Sequence, residues 1–167
     1  TWSSGAGSLA GQNLRLWMSD SWGEDLVANI VDGSLYYWDA TNGKTTRMVE
    51  LSTVSGASDV PTTVRKVMVS DVDRHVLCFG ANPVGSATFD PLLIRWSSQE
   101  SVTDWTPTAT NTAGDIRLSQ GSEIVTAIRT SRQILVFTEN SLHSVQFVGA
   151  PFTFGAAIIG TNVRIAG

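Results

Sequence analysis

Residues 26–38 read LVANIVDGSLYYW, with two short apolar runs on either side of Asp32-Gly33. Asp-Gly between apolar runs is a strong β-hairpin signal, because Gly accepts the positive φ angle that a type I′ turn needs. The runs themselves are rich in β-branched and aromatic residues, which favour strands. This stretch therefore predicts an antiparallel hairpin.

The same pattern returns twice along the chain. The equivalent hairpins are Val76–Phe79 with Leu92–Trp96, and Ile134–Phe137 with Leu142–Phe147. Their first strands begin about 50 to 60 residues apart, close to the roughly 40–50 residues of a propeller blade. A further apolar run, 64–69 or 124–129, precedes the second and the third hairpin. Each unit should therefore contain at least three strands.

We predict an all-β fold, a β-propeller-like array of about three antiparallel blades in a single domain, residues 1–167. The expected repeat units are 14–55, 62–110 and 122–149, and residues 156–167 are expected to start a further blade. Closed propellers usually need 4–8 blades. The array is therefore either part of a larger propeller or an open stack whose edges need a partner. The first residue is Thr1 rather than Met, which favours a segment of a longer product.

The second hairpin carries a long loop, Gly80 to Pro91, where the first has a tight turn. Repeat proteins place surface features on such loops. We predict that this loop is an assembly contact. Its candidate residues are Asn82, Pro83, Val84, Phe89, Asp90 and Pro91.

The chain has six Trp residues. Trp38, Trp96 and Phe147 end equivalent strands, which predicts repeated packing between blades. Trp17, Trp22 and Trp105 fall outside that pattern and form a candidate aromatic surface, on which a sugar could stack.

No residue is predicted to be catalytic, and we expect no cofactor or metal. His75 and Cys78 are three positions apart, so in a strand they point to opposite faces. His143 has no carboxylate at catalytic spacing. Asp71 and Asp73 lack the Gly and the distal Glu of a calcium loop. A single Cys excludes an intramolecular disulfide.

The charge pattern argues against a nucleic-acid-binding protein. The net charge is −4, and the 11 Lys and Arg residues form no basic run that would displace counterions from phosphates. No stretch approaches the roughly 18 apolar residues of a membrane span.

The segment Asp90–Glu100, continuing to Asp104-Trp105-Thr106-Pro107, resembles virion structural proteins of tailed bacteriophages. It is similar in particular to the propeller-bearing tail nozzle, or tail tubular, proteins of short-tailed phages. Further similar segments are Trp22–Leu26, Leu35–Asp39, Ser122–Ala127, Leu135–Phe147 and Pro151–Gly155.

The resemblance implies a structural role in the phage tail of the virion. Nozzle proteins form a ring, a hexamer, that continues the DNA channel below the portal. The implied partners are other copies of the chain and neighbouring tail or portal-adaptor proteins, with DNA only as passing cargo. An acidic chain suits such a conduit, because basic walls would hold the phosphates.

The alternative interpretation is a carbohydrate-binding propeller module. Ser97–Trp105 is similar to the Asp-box turn of sialidase-like propellers, but it lacks the Gly-x-Thr-Trp ending. The Arg residues are dispersed, and both Tyr residues lie side by side in one strand, unlike a sialidase centre. Glycan binding without catalysis remains the alternative.

Overall fold

The computed structural model describes residues 15–70 and 73–163, and it confirms an all-β fold with propeller-like sheets. These residues form three four-stranded antiparallel sheets, in which consecutive strands are neighbours. Sheet 1 comprises β1 (Trp17–Trp22), β2 (Asp25–Ile30), β3 (Leu35–Trp38) and β4 (Val49–Glu50). Sheet 2 comprises β5 (Val64–Ser70), β6 (His75–Ala81), β7 (Asp90–Trp96) and β8 (Gly114–Arg117). Sheet 3 comprises β9 (Ile124–Arg129), β10 (Ile134–Thr138), β11 (Ser141–Gly149) and β12 (Thr153–Thr161).

Helical structure in the described ranges is limited to two short 3-10 helices, Ala40–Asn42 and Leu51–Thr53, on either side of β4. No helix in these ranges is long and apolar enough to span a membrane. The predictions on residues 1–14, on Asp71 and on residues 164–167 lie outside the described residues.

The hairpin turn predicted at Asp32-Gly33 has a different backbone from the one expected. Asp32, and not Gly33, takes the positive φ angle, at 57°. Gly33 instead forms an isolated bridge with Val64 at the start of sheet 2, where the Val64 N–H donates to the Gly33 carbonyl at 2.8 Å. The type I′ prediction is therefore wrong, because that turn needs a positive φ angle at both central residues. Gly33 instead connects sheet 1 to sheet 2.

Sheet 2 lies between the other two sheets, and every residue of β6 is buried. Val76 and Cys78 pack with residues of sheet 1 in one apolar cluster. Leu77 and Phe79 point the other way and pack with residues of sheet 3 in a second cluster. Because both faces of the strand are covered, its sequence is a continuous apolar run instead of an alternating one.

Residues 156–161 do not start a further blade. They belong to β12, which pairs with β11 along one edge of sheet 3. The predicted units 62–110 and 122–149 likewise end before the fourth strands, β8 and β12. The sequence of β12 contains Gly155 and Gly160, which weaken the strand pattern. β12 forms nevertheless, because it pairs with the long neighbouring strand β11.

The first strands of the three sheets converge on one another. Asp20 in β1 accepts a hydrogen bond from the Val69 N–H in β5 at 2.9 Å. Arg129 in β9 reaches the same Asp20 carboxylate at 3.3 Å and also donates to the Val69 carbonyl. Lys66 in β5 donates to the Ala127 carbonyl in β9 at 2.6 Å. The sheets are therefore arranged as a fan whose narrow side is lined by β1, β5 and β9.

Candidate assembly surfaces

The face of sheet 1 that points away from sheet 2, called the outer face of sheet 1, is mainly apolar. Residues that lie directly opposite in the strand register share a face, and Ala28 lies opposite Tyr36 while Leu26 lies opposite Trp38. Trp17 is 53% exposed, and its ring lies 5.3 Å from that of Tyr36. The members of this face in β1–β3 are Trp17, Ser19, Ser21, Leu26, Ala28, Ile30, Tyr36 and Trp38.

Sheet 3 has a corresponding outer face. Leu135 lies opposite Ile128 on one side and Ser144 on the other, and Phe137 lies opposite Leu142. Their neighbours Ile134 and Val136 are buried against sheet 2. Ile128 is 50% exposed. The members of this face in β9–β11 are Thr126, Ile128, Leu135, Phe137, Leu142, Ser144 and Gln146.

The loop predicted as an assembly contact spans residues 82–89, because Asp90 and Pro91 already belong to β7. Val84 at its tip is 37% exposed. Phe89 is partly buried under the Arg65 guanidinium, 5.5 Å from the ring centroid, and it also packs close to Gly80.

Asn82 is not a contact residue of that loop, because its side chain is buried. Its Oδ1 accepts the N–H groups of Thr62 and Thr63 at 2.9 and 3.0 Å, and its Nδ2 donates to the Ser86 carbonyl at 2.7 Å. Asn82 therefore fixes the base of the loop to the segment before β5. The role of the exposed residues in assembly stays a prediction.

Trp22 and Trp105 do not form an aromatic surface with Trp17. Trp22 is 8% exposed and Trp105 is 1% exposed, and both belong to the apolar cluster between sheets 1 and 2. The loop after β7 folds back so that Trp105 completes this cluster, while its Nε1 donates to the Val102 carbonyl at 2.9 Å. Only Trp17 of the three is available on a surface.

The predicted repeat of aromatic packing holds for Trp96, which is buried between sheets 2 and 3. Phe147 contacts the same region, with its ring 5.7 Å from that of Phe154, but it remains partly exposed. Trp38 is on the outer face of sheet 1, where its Nε1 donates to the Thr46 carbonyl. The three residues occupy equivalent strands without making equivalent contacts.

Arg95 connects three loop segments through hydrogen bonds, a role that was not predicted from the sequence. The guanidinium is buried and donates to three carbonyl oxygens, those of Asn82 at 3.0 Å, Asp59 at 2.7 Å and Trp105 at 3.3 Å. Burial lowers the pKa of Arg95 from its ordinary value. A charged residue within an apolar strand was the only available signal.

His75 and Cys78 lie on opposite sides of β6, as the spacing predicts. The His75 ring packs against Phe154 at 5.2 Å, and its Nε2 lies 3.1 Å from the Thr112 hydroxyl. Cys78 is buried in the cluster that faces sheet 1, where burial raises the pKa of its thiol. The two side chains therefore cannot act as a nucleophile and its base.

His143 lies beside a hydroxyl but in an enclosed position. Its Nε2 is 3.0 Å from the Ser141 Oγ and 3.2 Å from the Gln120 carbonyl. Ser141 in turn bonds to the Thr138 hydroxyl at 2.6 Å, and all three side chains are buried. This buried cluster closes the turn between β10 and β11. In the described residues no group of three or more His, Cys, Asp or Glu side chains is placed to hold a metal ion.

A cleft of about 590 Å³ opens between sheets 2 and 3. Its floor includes Ile134, Val145 and Phe154, and Phe147 lies at its side. Polar residues along the cleft include Arg132 and Gln133. An apolar floor with a few polar groups is typical of a small-molecule site.

The chain matches no protein-family model and no curated protein.

Proposed function

We propose that this chain is a structural component of a bacteriophage virion, a tail nozzle or tail-tube-associated protein that acts through assembly. The resemblance of its sequence segments to nozzle proteins supports the virion and tail assignment. The fold supports a structural role in a more general way, because stacked blades present faces and loops on which other subunits can pack.

The observation that carries the proposal is the pair of apolar faces on sheets 1 and 3 that no other sheet of the described residues covers. Monomeric soluble proteins rarely expose large contiguous apolar patches, and such patches mark interaction sites. Burial of these faces would remove apolar side chains from water and so stabilise the assembly. The side chains are those of Trp17 and Tyr36 on sheet 1 and of Ile128 and Leu135 on sheet 3. A protein that functions by packing against its neighbours needs such surfaces.

The role in the virion follows from the resemblance. Copies of the chain would contribute to a ring, a hexamer, that continues the DNA channel, and the exposed part of the 82–89 loop would contact neighbouring tail or portal-adaptor proteins. The net charge of −4 suits a conduit through which DNA passes without being held.

Two measurements test the proposal. Peptide mass spectrometry of purified phage particles from the culture that carries the gene should detect this chain, and negative-stain microscopy of the gene's longest product should show rings or attachment to tails. Absence from the particles, together with no assembly in solution, would rule out a tail component.

A second candidate function, carbohydrate binding, is favoured by the cleft between sheets 2 and 3. The ring of Phe147 could support the apolar face of a sugar, while Arg132 and Gln133 supply hydrogen-bond donors. This site replaces the platform expected from Trp22 and Trp105, which are buried.

Binding to a glycan array tests this second function. Phe147→Ala should abolish the binding of any glycan that the chain retains. Phe152→Ala is the matched control, because Phe152 is exposed in the turn before β12 and is not part of the cleft. Equal losses in the two variants, or no glycan retained by the unmodified chain, would reject the cleft as a sugar site.

A further inference from the structure

The three sheets form a series in which each contact joins two different faces. The inner face of sheet 1 packs on one side of sheet 2, and the other side of sheet 2 packs on the inner face of sheet 3. The two faces that remain, the outer faces of sheets 1 and 3, are those at the two ends of the series. If a second copy of the chain continued this series, the outer face of sheet 3 in one copy would lie against the outer face of sheet 1 in the next.

The fan arrangement shows that this series curves. Asp20, Val69 and Arg129 come from the first strands of sheets 1, 2 and 3, and their mutual hydrogen bonds hold those strands close together. Sheets added with the same curvature would bring the series back to its beginning. Three sheets fall short of the 4–8 blades of closed propellers, whereas six lie within that range.

The two outer faces are chemically suited to each other. One presents the aromatic rings of Trp17, Tyr36 and Trp38, and the other presents the side chains of Ile128 and Leu135. The members in β1–β3 and β9–β11 include no Asp, Glu, Lys or Arg. Glu50 in β4 lies opposite Tyr36 and therefore shares the outer face of sheet 1, but β4 is the edge strand of that sheet. Contact between the two faces would therefore bury no unpaired charge at its centre, where such a charge is costly.

We propose that two copies of this chain associate head to tail and close a ring of six sheets. The outer face of sheet 1 in each copy packs on the outer face of sheet 3 in the other, and a twofold axis relates the two contacts. The occupant of both faces is thus a second copy of the chain. This inference rests on the proposed assembly function and names the partner of its apolar faces; the hexamer proposed for the tail would contain three such dimers.

The experiment measures the mass of the chain in solution by sedimentation equilibrium and native mass spectrometry. The unmodified chain should be a dimer. Trp17→Lys and Ile128→Lys each place a charge in both contacts, and each variant alone should be a monomer. The control is Ala109→Lys, which adds the same charge to an exposed residue of the loop between β7 and β8 on sheet 2 and should remain a dimer.

Mixing the two monomeric variants tests how the faces pair. Trp17→Lys retains an intact outer face on sheet 3, and Ile128→Lys retains one on sheet 1. Together they can form one native contact, so a mixed dimer of lower affinity should appear. If each face instead paired with the same face of another copy, either variant alone would still dimerise through its intact face. This result would overturn the proposal.

Three further results would overturn it: a monomeric unmodified chain, a ring that joins more than two copies through the outer faces, or loss of the dimer in the Ala109→Lys control. Circular dichroism establishes that each variant is folded, and Tyr36→Lys and Leu135→Lys replace any variant that is not. The detection of the chain in phage particles is independent of this result. A monomer that is found in particles would contradict the six-sheet ring alone, and a dimer absent from them would contradict only the virion role.

Discussion

Asn29 in β2 completes the hydrogen bonding of Val67 in β5, because its Oδ1 accepts the Val67 N–H at 2.9 Å. Its Nδ2 donates to the Val64 carbonyl at 2.8 Å and to the Arg65 carbonyl at 3.1 Å. The Asn29 side chain is fully buried. One amide therefore joins sheet 1 to the first strand of sheet 2 by donating and accepting at the same time.

Asn29→Leu should lower the free energy of unfolding by about 2–4 kcal/mol, since it leaves a buried N–H and at least one buried carbonyl without a partner. Chemical denaturation measures the loss. Asn42→Leu is the control, because Asn42 is exposed in a 3-10 helix and should change stability by no more than about 0.5 kcal/mol. Equal effects in the two variants would contradict a role for Asn29 between the sheets.

Arg95→Met should also destabilise the fold, by about 2–4 kcal/mol. The substitution keeps an apolar chain of similar length but removes the donors from the carbonyls of Asp59, Asn82 and Trp105. Arg132→Met is the matched control, since Arg132 is exposed. An unchanged or increased free energy of unfolding for Arg95→Met would show that these carbonyls do not depend on the guanidinium.

The stability of the chain should fall as the pH is lowered from about 7.5 to 5. Burial lowers the pKa of His75 and of His143 below the ordinary value of 6.5, although the carboxylates of Asp73 and Glu100 partly oppose this at His75. Below about pH 6.5 the unfolded chain takes up protons that the folded chain resists. The stabilisation is therefore complete above that pH and is lost below it.

Urea denaturation at several pH values measures this dependence. The double variant His75→Gln/His143→Gln should have a much flatter profile between pH 5 and 7.5, because neither glutamine titrates. A slope equal to that of the unmodified chain would assign the pH dependence to other groups.

Gly121→Ala should destabilise the chain by more than about 2 kcal/mol, for two reasons. The φ angle of Gly121 is 110°, which disfavours any side chain, and a Cβ atom there would lie 2.7 Å from the Cβ of Thr138. Gly43→Ala separates these effects, because Gly43 also has a positive φ angle, 76°, but open space around it. The difference between the two variants in thermal unfolding measures the steric contact.

Asn82→Ala and Val84→Ala should separate the structural and the assembly roles of the 82–89 loop. Asn82→Ala should lower the free energy of unfolding by about 1–3 kcal/mol, because it leaves the N–H groups of Thr62 and Thr63 without their acceptor. Val84→Ala should leave unfolding unchanged and weaken attachment to tail particles. Normal attachment of the Val84→Ala protein would argue against the loop tip as a contact.

The fold class could be predicted from the sequence because the hairpins have strong local signals. The run 76–79 in β6 is apolar throughout, and the Gly and Pro residues between positions 80 and 91 separate it from the apolar run of β7. The fourth strands, β8 and β12, were missed because glycines and exposed residues weaken their pattern. Such strands form mainly because a neighbouring strand supplies the pairing, which depends on contacts distant in sequence.

The candidate site was harder to predict because it depends on which face of each sheet is covered by another sheet. Trp17, Trp22 and Trp105 have the same chemistry in the sequence, yet one is on an outer face and two are in the core. Their places are decided by the packing of sheet 1 on sheet 2 and by the return of the loop after β7. Neither is encoded in a local pattern.

The position of sheet 2 between its neighbours gives the chain an order of opening. A backbone amide in β6 can exchange its hydrogen with solvent only after one of the covering sheets has moved away, because both sides of the strand are enclosed. In a single, undimerised copy of the chain, amides in β1 and β12, which belong to the two outer sheets, have no such requirement. Hydrogen exchange should therefore be slowest at the centre, and its rate there should report the loss of the whole stack, not the fraying of one strand.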